Sequence, residues 1–285
     1  MSNRWYESVF GFYSRIALSE RGGYRLARLI RRLRSQAHWQ DDFKTPDGFQ
    51  LNLNLGIYPD ICMAYGLYEL STVRLIKKIL SLGDHFVDAG ANIGYLTLHS
   101  AKRVGPNGQV DAFEPEAGNR CRLNAHLHAN QLQNRVTVHP YALSDHQGQV
   151  TLYRWPEDDL IHNHGCTSQF TNHRESAQAM TVECRTLDQM LQGVVPKLIK
   201  MDVEGAEPIM VQGMIQTLES NKPPIIIGEL NPTQARVAGF APHQWICSVL
   251  DIQPKYKVYT IGSRIRQRKL KEIAELGQIN LLLQV

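Results

Sequence analysis

The sequence predicts an α/β fold, a doubly wound and mostly parallel sheet of seven strands with helices on both faces. Three observations predict it. From residue 85 onward, short apolar segments alternate with longer stretches of helical periodicity, the pattern of repeated βαβ units. The first of these segments runs into a turn with Gly90 and Gly94, the kind of strand–helix turn that opens the first crevice of such a sheet. The chain has 285 residues, 43% of them hydrophobic and 20% charged, with a mean hydropathy of -0.30. That suits one large domain with appendages and ample core.

The elements follow in order. Residues 1–45 read as a helical arm. Within it Leu26, Leu29, Ile30 and Leu33 fall at i, i+3, i+4 and i+7 among arginines, an amphipathic basic helix. Residues 1–40 hold eight Arg and two Glu, a net +6, so the other 245 residues sum to -2. The arm's apolar stripe is expected to pack on the main domain or a second subunit. A peripheral contact with an anionic membrane and an organellar transit peptide are the alternatives. Residues 46–285 form the main α/β domain. After a turn at 45–49, residues 50–55 alternate as a strand, and a helix spans 68–80, ending at Gly83. The seven sheet strands are residues 85–88, 109–113, 136–140, 198–201, 225–229, 257–261 and 280–284. Helices fall at about 94–104, 116–130, 206–220 and 243–251. Residues 149–185 break the alternation with a strand at 150–153, a polar loop and a strand at 181–185. This insertion is read as a substrate loop.

Several classes are excluded. No apolar run approaches the ~18 residues of a membrane span, and Arg15 and Glu20 interrupt the early apolar stretch, so no secretory signal is expected. Five scattered cysteines without a CxxC pair read as reduced thiols of a cytoplasmic protein. Zinc on Cys166, His162 and His164 is the lesser reading. The slightly acidic core, with no aromatic-interleaved basic stripe, argues against nucleic acid as a partner.

Four segments carry chemistry. In Phe86-Val-Asp-Ala-Gly-Ala-Asn-Ile-Gly-Tyr95, Gly90 lets the backbone turn sharply and Gly94 permits close packing at the helix start. The spacing is G-x-x-x-G, not the G-x-G-x-x-G of dinucleotide sites. Asp88 at the strand tip repels a pyrophosphate but attracts an ammonium group. The ligand that fits is a nucleoside bearing an amino acid, which describes S-adenosylmethionine. In the second segment Glu114, followed by Pro115, closes the next strand where an acid can accept from both ribose hydroxyls. The third, Pro140-Tyr-Ala-Leu-Ser-Asp145, offers Ser144 or Asp145 to the adenine edge. The fourth, Leu198-Ile-Lys-Met-Asp-Val-Glu-Gly-Ala-Glu-Pro208, brings Lys200, Asp202 and Glu204 to the carboxyl edge of the sheet, with Glu207 beyond. The neighbouring strand adds Glu229 and then Asn231, a substrate-side pair. Crowded carboxylates bind a cation, share a proton or pair with Lys200. The preferred reading is that they orient loops and hold a cationic cofactor and the substrate. A divalent metal on Asp202, Glu229 and Asn231 is the alternative.

Taken together, these residues resemble the FkbM family of methyltransferases. The matching pieces are Gly66-Leu-Tyr-Glu69, Asp88-Ala-Gly-Ala-Asn-Ile-Gly-Tyr95, Phe113-Glu-Pro115, Ala142-Leu-Ser-Asp145, Thr186-Leu-Asp188, Lys200-Met-Asp-Val-Glu-Gly-Ala-Glu207 and Gly228-Glu229, in that order. Asn163-His-Gly-Cys-Thr-Ser168 resembles the family's Gly/Ser loop more loosely. The resemblance implies a Rossmann-like fold of the class I methyltransferase type and S-adenosylmethionine as methyl donor. It implies O-methylation of a hydroxyl on a sugar, glycan or polyketide-like metabolite. It further implies cofactor contacts for Glu69, Asp88, Gly90, Asn92, Glu114 and Ser144.

Methyl transfer needs an aligned acceptor oxygen and a base for its proton. Asp202 or Glu204 is the first choice for the base and His164 the alternative. Two rivals share the fold class. One is an NAD(P)-linked oxidoreductase or epimerase, which lacks support because neither its glycine fingerprint nor a Tyr-x-x-x-Lys pair is present. The other is a non-catalytic scaffold, against which the intact Asp88, Glu114 and Asp202 argue.

Overall fold

The structure, a computed structural model, describes residues 40–56, 58–154, 167–170, 177–262 and 264–285. The basic helix of the arm and the His162, His164, Cys166 group lie outside the described residues. In chain order the elements are β1 (Gln40–Lys44), β2 (Gln50–Asn54), α1 (Tyr58–Ala64), α2 (Leu70–Ile79), β3 (His85–Ala89), α3 (Tyr95–Val104), β4 (Gln109–Phe113), α4 (Ala117–Ala129), β5 (Val136–His139), β6 (Ala142–Leu143), β7 (Gly148–Arg154) and β8 (Thr167–Ser168). There follow β9 (Gln178–Arg185), α5 (Leu187–Leu191), β10 (Leu198–Met201), α6 (Glu207–Gln212), α7 (Ile215–Glu219), β11 (Ile225–Leu230), α8 (Pro232–Val237), α9 (Gln244–Ile252), β12 (Lys257–Thr260), β13 (Arg266–Arg268), α10 (Leu270–Ile273) and β14 (Ile279–Gln284).

The central sheet has eight strands in the order β13-β12-β14-β11-β10-β3-β4-β5. The run β11-β10-β3-β4-β5 is parallel, and β14 inserts antiparallel between β11 and β12. All seven expected strands are present, and β13 makes the eighth. Periodicity misses it because Arg266-Gln267-Arg268 is polar throughout. An edge strand with little buried side-chain surface needs no apolar alternation.

Side chains alternate between the two faces of each strand. One face carries Phe86, Val110, Leu198 and Ile227 into a cluster with Ile76 of α2, Leu98 of α3, Leu123 and Leu127 of α4, and Leu51 and Leu53 of the β1–β2 hairpin. The other carries Val87, Phe113, Ile199, Met201 and Ile226 against Met210, Met214, Trp245 and Ile246. Every residue of β10 is buried, as a central parallel strand covered on both faces must be.

Three local differences from the sequence reading have physical causes. Gln40–Lys44 pair with β2 across the 45–49 turn, a strand whose charges hide it from a hydrophobicity pattern. The helix expected over 206–220 divides into α6 and α7. A Cβ on Gly213 would stand 1.9 Å from the Ser144 carbonyl oxygen, and the Gly213 carbonyl accepts from Asp188 N at 3.0 Å. The close approach of the Ser144 segment and the start of α5 breaks the helix there. The insertion contributes β7, β8 and β9 to a separate four-stranded sheet in the order β6-β9-β7-β8. No helix among the described residues is long and apolar enough to cross a membrane.

Candidate active site

The face that holds Phe86, Val110, Leu198 and Ile227 changes character toward the carboxyl ends of its strands. By the same period of two it next presents Asp88, Glu114, Lys200, Asp202 and Glu229. The register sets Lys200 beside Asp88 on one side and Ile227 on the other. An apolar sheet face therefore ends in a cluster of ionisable groups, and helix starts close over it.

Asp88 is 2% exposed and accepts from Thr97 Oγ1 at 2.5 Å. Burial disfavours its charge more than Thr97 and Lys200 favour it, so its pKa is pushed up to about 6. The turn that follows is tightly held. Gly90 N and Ala91 N donate to the Phe113 carbonyl at 3.0 and 2.9 Å. Gly90 has φ +82°, and a Cβ there would stand 1.9 Å from the Asp202 carbonyl oxygen, so only glycine fits between β3 and the tip of β10. Asn92 adopts φ 51° and its N–H donates to Glu114 Oε2 at 2.8 Å. The start of α3 at Gly94 packs on Leu123, whose Cγ would be 2.9 Å from an added Cβ.

Glu114, buried at the tip of β4, receives Asn92 N on one oxygen and Glu116 N on the other, at 2.8 and 2.9 Å. Burial raises its pKa to about 7 against these hydrogen bonds. The Asn119 side chain also hydrogen-bonds this carboxylate, which keeps remaining acceptor capacity for a ligand hydroxyl. Pro115 leads the chain into α4, and its carbonyl accepts from the Arg120 guanidinium. Glu116 caps α4 by accepting from Asn119 N at 2.5 Å.

Lys200 is 1% exposed, and its Nζ donates to Asp202 Oδ2 at 3.2 Å. Burial opposes its charge, but Asp202, Glu69 and Glu229 more than offset that and hold its pKa above the usual lysine value. Asp202 keeps a quarter of its side chain exposed. Glu229 accepts from Gln278 Nε2 at 2.7 Å, and burial with the Asp202 charge pushes its pKa up to about 8. Glu69 precedes α2 in a left-handed conformation, φ 42°, and accepts from Asn280 Nδ2 at 3.0 Å. Asn280 also donates to Thr72 Oγ1 at 3.1 Å, tying β14 to the start of α2.

Glu69, Asp88, Lys200, Asp202 and Glu229 thus act on one another electrostatically. Of the other candidates, Asn231 touches that group through Nδ2, which donates to Glu229 Oε2 at 3.5 Å, and Glu207 acts on Asp202 electrostatically. The Glu204 carboxylate is engaged by Gln234 Nε2, and its carbonyl accepts from Ser168 Oγ of the insertion at 2.7 Å. Asn231 caps α8 through Gln234 N at 3.2 Å. Glu207 is buried and its carboxylate braces the 203–205 turn, accepting from Val203 N and Gly205 N at 3.1 Å each. Burial raises its pKa to about 7. Ser144 is buried and its N–H donates to Arg185 O at 2.9 Å, while half-exposed Asp145 pairs with His146 at 2.6 Å. Among the described residues, no group of three or more His, Cys, Asp and Glu side chains is placed to hold a metal ion.

Thr97, Gln278 and Asn280 were not singled out from sequence. Thr97 lies three residues past Gly94, where the first helical turn faces back to the strand tip. Asn280 stands out as a polar residue opening an apolar strand. No local rule links it to Glu69, which is 211 residues away.

A profile of the Methyltransferase FkbM domain matches residues 88–271, more than half of the chain. The hexuronic acid methyltransferase AglP of Haloferax volcanii is 29% identical over 157 residues, covering 53% of this chain and 59% of that relative. The chain therefore spans about three fifths of the relative's length. Among solved structures, the FkbM methyltransferase of Methylobacillus flagellatus KT superposes with a TM-score of 0.46 at 17% identity, over 79% of this chain and 53% of that one. An S-adenosylmethionine-dependent O-methyltransferase of Thermotoga maritima does so at 0.42 and 14%, over 76% and 66%.

Proposed function

Because the chain belongs to the FkbM family of methyltransferases, we propose that it methylates a hydroxyl oxygen of a sugar, glycan or polyketide-like metabolite, with S-adenosylmethionine as donor. One observation carries this reading. Two buried carboxylates, Asp88 and Glu114, close neighbouring parallel strands on either side of a glycine turn. A buried acid whose pKa has risen to about 6 lacks a full countercharge. An ammonium group supplies one, and a diphosphate set there would meet Asp88 and Asp202 instead. The donor set thus fits an amino-acid-bearing nucleoside. Asp88 and Glu69 would hold its amino-acid end, Glu114 its ribose hydroxyls, Asn92 and Pro115 the turn beside it, and Ser144 or Asp145 the adenine edge. The sugar acceptor is supported by the Haloferax relative, a hexuronic acid methyltransferase.

When bound, S-adenosylmethionine supplies an electrophilic methyl group. Asp202 accepts the proton of the acceptor hydroxyl. Its side chain is a quarter exposed at the strand tip, and Lys200 fixes its direction. Glu204, held by Gln234, and His164 are the alternative bases. Glu229 with a pKa of about 8 carries its proton at neutral pH and donates to a neighbouring acceptor hydroxyl.

Calorimetric titration with S-adenosylmethionine tests the reading. Wild-type affinity is expected to fall about tenfold from pH 7.5 to pH 5, because only roughly a tenth of Asp88 is then ionised. Asp88→Ala should weaken binding most at pH 7.5 and shrink the difference, leaving the part that titration of Glu114 contributes. Unchanged affinity in that variant, or tight binding of NAD in its place, contradicts the assignment.

A further inference from the structure

Between residues 252 and 271 the chain carries seven cations, Lys255, Lys257, Arg264, Arg266, Arg268, Lys269 and Lys271, and no Asp or Glu. All of them except Arg268 are exposed. Arg268 pairs with Glu272 at 3.6 Å. They line the β12–β13 hairpin, which forms one edge of the central sheet. Cations on an edge strand discourage edge-to-edge pairing. That role does not account for Ile265 and Leu270, which flank β13 at 43% and 37% exposure and add apolar surface to the same edge.

We propose that this hairpin docks the protein on an anionic lipid bilayer. Cations interleaved with exposed aliphatic side chains suit the headgroup layer, where the charges meet lipid phosphates and Ile265 and Leu270 enter the acyl boundary. The same edge suits nucleic acid poorly, because its aromatic residues, Tyr256 and Tyr259, are buried and half-buried and give bases nothing to stack on. The placement also has a functional sense. β12 runs in the same direction as β10 and β11, so its end at Thr260 lies at the carboxyl edge of the sheet. Ile261 N donates to the carbonyl of Asn280, the residue that holds Glu69. Docking through the hairpin turn therefore brings the rim of the candidate active site to the bilayer surface.

The test is sedimentation of the full chain with vesicles of phosphatidylcholine alone and of phosphatidylcholine with phosphatidylglycerol. It needs neither cofactor nor acceptor, so its outcome is separate from that of the methyl-transfer reading. Binding is expected only to the anionic vesicles and should weaken with salt. A cation near such a surface contributes about fivefold, so the triple variant R264Q/R266Q/K269Q should bind roughly 100-fold more weakly. I265S, with its charges intact, should also bind more weakly. Equal binding to neutral vesicles overturns the proposal. So does wild-type binding by both variants, which would give the role to the Arg-rich residues 1–40. Loss of duplex RNA binding in the triple variant with vesicle binding unchanged overturns it as well.

Discussion

At the scale of single residues, the site is a problem of charge held out of water. Burial disfavours an ionised Glu229, and nearby Asp202 adds repulsion that Lys200 only partly offsets, so Glu229 keeps its proton to about pH 8. The two acids are therefore expected to answer substitution differently. Asp202→Asn removes the proposed base and should lower kcat by at least ~100-fold while much of the cofactor affinity remains. Glu229→Gln preserves a neutral donor of the same shape. It should cost less than about tenfold at pH 7, and it should remove the decline in kcat that ionisation of Glu229 produces above pH 8. A pH profile of kcat for both variants checks this. A severe loss at pH 7 in Glu229→Gln would show that its ionised form is the working one. Asp88, Glu114, Lys200, Asp202 and Glu229 stand out in the sequence because each lies toward the end of an apolar strand, where an ionisable group has few structural reasons to be, whereas Glu69, ahead of α2, enters only through the family resemblance. Thr97 and Gln278 were not legible, since a hydroxyl or amide in a helix or loop is ordinary until its partner is known.

At the scale of elements, the parallel strands carry a polar tie away from the site. Asp111 of β4 accepts from His85 of β3 at 2.6 Å and from His139 of β5 at 2.7 Å. Burial works against its charge, but the two histidine hydrogen bonds more than offset that and hold the carboxyl well below its ordinary value of 3.8. A depressed carboxyl pKa stabilises the fold above the unfolded value, and that contribution is lost as pH falls from there through the lowered value. Asp111→Asn should therefore cost roughly 2 kcal/mol at pH 7 and distinctly less at pH 3, as read from urea midpoints. Equal losses at both pH values would mean that shape rather than charge joins the strands. The sequence conveys β3, β4 and β5 through their apolar runs, but diagonal ties between strands depend on register, which the pattern of one strand does not contain. The division of α6 from α7 was hidden for a similar reason. Gly213 breaks the helix because Ser144 crosses it, and that crossing belongs to the tertiary fold.

At the scale of the whole molecule, two clusters sandwich the central sheet, whereas the β6-β9-β7-β8 sheet shows many exposed or half-exposed residues. Hydrogen exchange should follow that division. Amides of residues 87–89 and 199–201 should exchange slowest, through global unfolding, and those of β7 faster, through local opening. Uniform protection would mean that the insertion unfolds only with the core. The order of the sheet has a further consequence. β14 is the latest of its strands in chain order, yet it lies between β11 and β12. During synthesis the basic hairpin consequently waits, with no neighbour in the sheet, until residues 279–284 leave the ribosome. The same arrival brings Asn280 to Glu69. Maturation of the reactive crevice and attachment of the charged margin thus become a single late event.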